Sequence, residues 1–133
     1  PYSALASGKL SRRPGETSNR LQKDAYLHHK YDATAKEDDK IISRVAELAQ
    51  CYGVSMTEIS LAWILRKVDA PIVGATKMHH IDGAVNAFNV KLTDDDMKYL
   101  EEPYVPHSLE GVMADNQPAM RDEPVWVAAA RKV

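Results

Sequence analysis

Apolar positions recur at helical spacing through the middle of this chain, and the breaks between them fall at capping residues. Ile41, Ile42, Val45, Leu48, Ala49 and Tyr52 share one face of a helix. Thr34 and Glu37 have the spacing of a capping box before that run, and Gly53 stops it. Ser55 and Glu58 repeat the signature, and Ile59, Ala62, Trp63 and Leu65 carry a largely apolar second helix to about Lys67. Ala70-Pro71-Ile72-Val73 is too short for a helix and reads as a buried strand that breaks at Gly74. Ile81, Val85 and Phe88 then share a face of a third helix, and Thr93 with Asp96 caps a fourth that runs through Met97 and Leu100 to Pro103. Asp94, Asp95 and Asp96 sit where a helix dipole favours negative charge, so they read as a helix start rather than a metal site.

The two ends follow no such period. Residues 1 to 8 form a small-residue apolar run, read as a strand that closes at Ser7-Gly8. Lys9, Arg12, Arg13 and the turn pair Pro14-Gly15 come next. Glu16 to Ala33 is polar and reads as a long excursion, in which Leu21, Ala25 and Tyr26 support one or two helical turns. Beyond Tyr104 the chain is interrupted by prolines and carries an apolar patch at Val125, Trp126 and Val127.

Composition adds limits. The 133 residues are 44% hydrophobic and 27% charged with a formal net charge of −2, an ordinary globular balance without the basic excess of a nucleic-acid binder. No apolar run approaches the ~20 residues that cross a bilayer, so no membrane partner is expected. One cysteine, Cys51, excludes an internal disulfide, and the cytoplasm is the default setting. The chain opens at Pro1 inside what reads as a strand, which suggests a fragment or processed product.

The junction Gly74-Ala75-Thr76-Lys77 carries most of the candidate chemistry. A helix start exposes unpaired N–H groups and the positive end of the dipole, and a preceding glycine lets an anion approach the backbone. Taken by itself, the same pattern is also a simple tight turn. Lys9, Arg12 and Arg13 read equally as a solvated basic loop or as part of a ligand loop. His28-His29 and His79-His80 are adjacent pairs whose side chains diverge on a helix, so no metal site is expected. Cys51 lies at a helix C-terminus, where the dipole disfavours a thiolate, and no Ser-His-Asp order or Walker-type loop appears.

Over residues 1–112 the order strand, loop, helix, helix, strand, helix, helix resembles the last quarter to third of the aldo-keto reductase barrel. Pro1-Tyr2-Ser3-Ala4-Leu5-Ala6-Ser7-Gly8-Lys9-Leu10 is similar to the family's seventh strand and following loop, with Ala4 in place of the usual proline. Leu61-Ala62-Trp63-Ile64-Leu65-Arg66 is similar to the family's apolar helix, and Pro71-Ile72-Val73-Gly74-Ala75 to its eighth strand. Leu92 to Leu100 resembles the next helix, and Glu102-Pro103-Tyr104-Val105-Pro106-His107 resembles a subgroup of longer bacterial and fungal members. The fold class implied is α/β: the C-terminal part of a (β/α)8 TIM barrel, helix-rich with two short parallel strands, followed by a tail over 113–133. A complete barrel needs on the order of 250 residues, so this chain alone does not supply one.

The resemblance implies an NADP(H)-dependent enzyme that transfers hydride between the cofactor and a small carbonyl or alcohol substrate. Ser3, Leu5, Ala6 and Gly8 would line the pyrophosphate, with Lys9 as a neighbouring cation. Gly74, Ala75, Thr76, Lys77 and His80 would face the adenosine phosphate. The family's catalytic Tyr, Lys, Asp and His lie on earlier strands, so no catalytic residue is assigned here and the chain alone is expected to be inactive. Two departures weaken the expected grip on the adenosine end: Gly83-Ala84 stands where Glu-Asn is common, and His80 where Arg or Gln is usual. An open barrel piece would expose an apolar face and strand edges, so the missing N-terminal barrel segment is an expected partner. The alternative is a non-enzymatic helical module that uses that face to bind another chain.

Overall fold

The computed structural model describes residues 1–108, apart from the side chains of Asn19 and Arg20. The expected boundary at 112 and the tail with Val125, Trp126 and Val127 lie outside the described residues. In chain order the α-helices are α1 (Asn19–Lys23), α2 (Ala25–Tyr31), α3 (Ala35–Tyr52), α4 (Met56–Leu65), α5 (Met78–Asn86) and α6 (Asp94–Glu101). Short 3-10 turns occupy Ala6–Ser11, Asp32–Thr34 and Ala87–Asn89.

The core sits where α3, α4 and α6 meet. Val45, Leu48 and Ala49 from α3, Ile59 and Ala62 from α4, and Leu92, Met97 and Leu100 from the α6 region form one buried cluster. The i, i+3, i+4 rows of α3 supply one wall. α4 is apolar on most sides because it is the central element, packed against α3, α5 and the Ala87–Asn89 turn, and Ile59 is 0% exposed. Polar ties close the periphery. Arg66 donates to the Leu92 carbonyl (2.9 Å) and pairs with Asp94 (2.7 Å), while Trp63 Nε1–H donates to Glu101 (2.9 Å).

The helix ends show which local signals sufficed. Gly53 has φ +66°, its N–H reaches the Gln50 carbonyl and the Val54 N–H reaches that of Ala49, so the last turn of α3 closes as a left-handed cap. Two residues on, Ser55 Oγ accepts from the Glu58 N–H (3.2 Å) and the Glu58 carboxylate accepts from the Ser55 N–H (2.6 Å). Thr93 and Asp96 form the same reciprocal pair at the start of α6. α4 stops at Leu65, and Arg66 and Lys67 continue as a tighter turn through bonds to the carbonyls of Trp63 and Ile64.

Three expectations need correction. Thr34 and Glu37 form no capping box: the Asp32–Thr34 turn winds directly into α3 and holds Thr34 at φ −108°, ψ 7°. Its hydroxyl instead donates to Asp38 (2.9 Å). The excursion from Glu16 to Ala33 is largely helical. Ser18 Oγ accepts from the Leu21 N–H at the start of α1, Asp24 accepts from the Tyr26 N–H at the start of α2, and Leu27 is buried.

The third correction concerns the two parallel strands, which do not form: the described residues contain no strand. Pro1 to Leu5 runs irregularly into the 3-10 turn, and 70–75 is irregular throughout. The two segments nevertheless lie side by side, because the Ile72 N–H donates to the Pro1 carbonyl (2.8 Å). A parallel ladder needs neighbours and cover on both faces, and a two-stranded pair is marginal by itself. Here Ile72 is 68% exposed.

Candidate functional site

The segment from Ser3 to Arg12 is strained. Ser3, Ala6 and Ser7 have φ of 60°, 47° and 57°, and Gly8 has φ of 96°. Each L-residue in this region costs about 1 kcal/mol or more, so the surroundings must hold the shape. The Ala6 N–H donates to the Ser3 carbonyl (2.9 Å) and the Gly8 N–H to the Leu5 carbonyl (2.8 Å). Ser60 Oγ of α4 donates to the Leu10 carbonyl (3.0 Å), which ties the loop to the core. Arg12 folds back and donates from Nη1 to the Gly8 carbonyl (2.7 Å).

Lys9 points elsewhere. Its ammonium lies 3.9 Å from the Asp38 carboxylate and 5.2 Å from the Tyr31 ring centroid. The guanidinium groups of Arg12 and Arg13, by contrast, have no carboxylate partner among the described residues, although Glu16 accepts from the Arg13 backbone N–H (3.0 Å). The loop is therefore electropositive on the arginine side, while the lysine is turned toward α2 and α3.

The second segment leads into α5. Gly74, Ala75, Thr76 and Lys77 are exposed, and a Cβ added at Gly74 would meet nothing within 4 Å, so the backbone is open to a ligand. α4 and α6 begin with capping boxes and acidic residues in the first turn. α5 begins at extended Lys77 with neither a side-chain cap nor an acid. Its positive end is left uncompensated, which suits an anion. His80 takes one donor away: its Nδ1 accepts from the Thr76 N–H (3.3 Å), and the ring meets His79 edge-on at 4.5 Å. Gly83 lies against α4, where a Cβ would sit 3.6 Å from Thr57 Cγ2.

The Ile72–Pro1 bond ties the chain two residues before the start of each segment. Ser3, Leu5, Ala6 and Gly8 fall on one and Gly74, Ala75, Thr76, Lys77 and His80 on the other. Of these residues Ala6, together with the neighbouring Lys9, also lines an apolar groove of about 940 Å³ bounded by α3, α4, α6 and residues 104–107. Sequence periodicity did not single out Tyr104 and His107 as groove residues, nor Arg12 as a loop clamp. A basic residue four positions after a loop glycine was the available signal for Arg12.

Among the described residues no group of three His, Cys, Asp or Glu side chains could hold a metal. Both His28 nitrogens are engaged, with Asp32 (3.1 Å) and the Gln22 carbonyl (3.3 Å). The Asp32 hydrogen bond raises the His28 pKa above the ordinary imidazole value. Cys51 is exposed at the end of α3. No helix among the described residues is long and apolar enough to cross a membrane.

The model of the aldo/keto reductase family matches residues 1–104. Aldo-keto reductase dtxS3 of Metarhizium robertsii is 40% identical over 112 residues, covering 84% of this chain and 30% of the relative. A putative aryl-alcohol dehydrogenase of Schizosaccharomyces pombe, C977.14c, is 39% identical over 111 residues, covering 84% of this chain and 32% of the relative. Versiconal hemiacetal acetate reductase of Aspergillus parasiticus is 42% identical over 113 residues, covering 82% of this chain and 33% of the relative. The chain belongs to the aldo/keto reductase family, whose members are nicotinamide-dependent oxidoreductases built on a (β/α)8 barrel. It spans about a third of the length of the curated relatives it matches.

Proposed function

We propose that this chain is the C-terminal, cofactor-holding part of an NADP(H)-dependent aldo-keto reductase acting on a small carbonyl or alcohol. The observation that carries this reading is the backbone bond that ties together the chain leading into two anion-ready segments. The strained loop from Ser3 to Gly8 and the uncapped start of α5 after Gly74 are joined at the Ile72–Pro1 bond.

Ser3, Leu5, Ala6 and Gly8 would hold the pyrophosphate, and Gly74, Ala75, Thr76, Lys77 and His80 the adenosine phosphate. When bound, the cofactor supplies or accepts the hydride. The backbone N–H groups and the Lys77 ammonium hold the anion and orient it. His80, as an acceptor for the Thr76 N–H, shapes the turn. Together with the short Gly83-Ala84 pair, this favours a loose grip on the adenosine end and modest preference for NADPH over NADH.

The residues that would transfer the proton are expected on the remaining barrel. Two apolar surfaces are the faces that barrel segment would cover: the groove of about 940 Å³, and the stripe of Met78, Ile81, Val85 and Phe88. Isothermal titration with NADPH tests the assignment. Saturable binding with a micromolar to millimolar Kd, and no turnover of an aldehyde by the chain alone, is the expected result. Absence of saturation at millimolar NADPH would overturn the cofactor assignment, and turnover by the chain alone would overturn the division of labour.

A further inference from the structure

We propose that Arg12 is a positioning residue for the cofactor loop, pinning its left-handed backbone through the Gly8 carbonyl while presenting unpaired positive charge to a diphosphate. This role rests on the cofactor assignment made above.

The geometry separates three basic residues that look alike in the sequence. Lys9 is turned toward Asp38 and Tyr31. Arg13 is exposed, and its backbone N–H is taken by the Glu16 carboxylate (3.0 Å). Arg12 is half-buried, and its Nη1 lies 2.7 Å from the carbonyl of Gly8, at the end of the run Ala6-Ser7-Gly8 in which every φ is positive.

Gly8 is shaped by that contact. A Cβ at position 8 would stand 2.4 Å from Arg12 Nη1, so the guanidinium fills the space a side chain would need. Glycine is favoured there by φ +96°, and a side chain would also displace the guanidinium from the Gly8 carbonyl. The loop is thus held from two sides, by Arg12 on Gly8 and by Ser60 on Leu10.

The pin uses one of the five guanidinium N–H donors, and no other acceptor among the described residues takes the rest. Arg44, Arg66, Lys67 and Lys98 all have carboxylate partners, whereas Arg12 has none among the described residues. A planar fork with free donors and uncompensated charge, fixed beside a strained loop, is matched to phosphate oxygens.

The test compares the wild-type chain with Arg12→Ala, Arg12→Gln, Arg12→Lys and Arg13→Ala. It measures NADPH Kd by calorimetry at two salt concentrations and amide hydrogen exchange of residues 3–10 without ligand. Arg12→Ala should weaken NADPH at least about tenfold, as expected for loss of a hydrogen bond to a charged group. It should also speed exchange of the Ser7 to Leu10 amides, while Arg13→Ala does neither. Arg12→Gln keeps an N–H for the Gly8 carbonyl and should restore slow exchange with weak binding of reduced salt dependence. Arg12→Lys should keep the salt dependence with intermediate affinity.

Equal NADPH affinity in the wild type and Arg12→Ala would overturn the proposal while leaving the cofactor site standing. Weakened binding with unchanged loop exchange would overturn the pin. A wild-type chain that fails to bind NADPH would bring down the cofactor assignment and the charge role with it, and the exchange comparison would still decide the pin.

Discussion

Gly53 shows how much of this chain is decided by single backbone positions. Its φ of +66° closes α3, and open space surrounds it, so a methyl group there would clash with nothing and only the backbone would object. Gly53→Ala should therefore destabilise the chain by about 1 kcal/mol, seen as a lower urea midpoint with an unchanged slope. Signals of this kind were legible in the sequence because cap and partner lie within a few residues. Ser55 with Glu58 and Thr93 with Asp96 form the expected boxes. Thr34 with Glu37 has the same spacing and does not, since the preceding turn denies Thr34 the extended conformation a cap needs. The clasp of Arg12 on Gly8 was out of reach for a related reason. It depends on a left-handed run that no periodicity announces.

The helices were readable in proportion to their apolar rows, and the strands were not. α3, α4 and α6 bury their rows in one another, so pattern and packing agree. Pro1 to Ala6 and Pro71 to Ala75 have strand-like composition, but a strand is a property of a pair within a covered sheet, and one bond between Pro1 and Ile72 is all these segments make together. α5 stands between the two cases. Its periodicity is real, but Ile81 and Val85, with Phe88 in the turn that follows, remain 46%, 59% and 63% exposed among the described residues. Val85→Gln combined with Phe88→Gln should change the stability of the isolated chain by no more than about 0.5 kcal/mol per site by urea unfolding. A loss well beyond that would show the stripe already buried in this chain in solution, against its proposed role as a face for the barrel.

Across the whole molecule, several ties between α3, α4 and α6 run through carboxylates, and that sets the response to acid. The Asp94 carboxyl is held below its ordinary 3.8 by the Arg66 hydrogen bond, and that of Glu101 below 4.5 by Lys67 and then Trp63. For Asp96 burial is the largest single influence and pushes upward, but bonds from Tyr52 and Thr93 together outweigh it and leave the group lowered. Folded carboxylates with depressed pKa values bind fewer protons than unfolded ones. Their stabilisation is present above the unfolded values and is lost as pH falls through the folded ones. Unfolding midpoints should thus decline only slightly near neutrality, where solvent-exposed His28, raised by its Asp32 bond, loses its proton, and should fall steeply below about pH 4. At the alkaline end Tyr52 and Tyr99 are raised above 10.0, chiefly by their bonds to Asp96 and Glu47. That stabilisation is lost as pH rises through the folded values. A urea midpoint measured from pH 2 to 11 would test both limbs, and a flat acid limb would contradict the carboxylate account.

The reversal at Gly53 also sets an order of events. α3 and α4 are joined by a turn of three residues, so Ala49 and Ile59 meet after closing a very short loop, whereas Pro1 and Ile72 must find each other across most of the described chain. Loop-closure entropy favours the helical hairpin as the nucleus and leaves the junction of the two candidate binding segments to close late. A ligand that bridges that junction would act mainly on the escape rate from the native state: it would slow unfolding and leave the folding rate nearly unchanged.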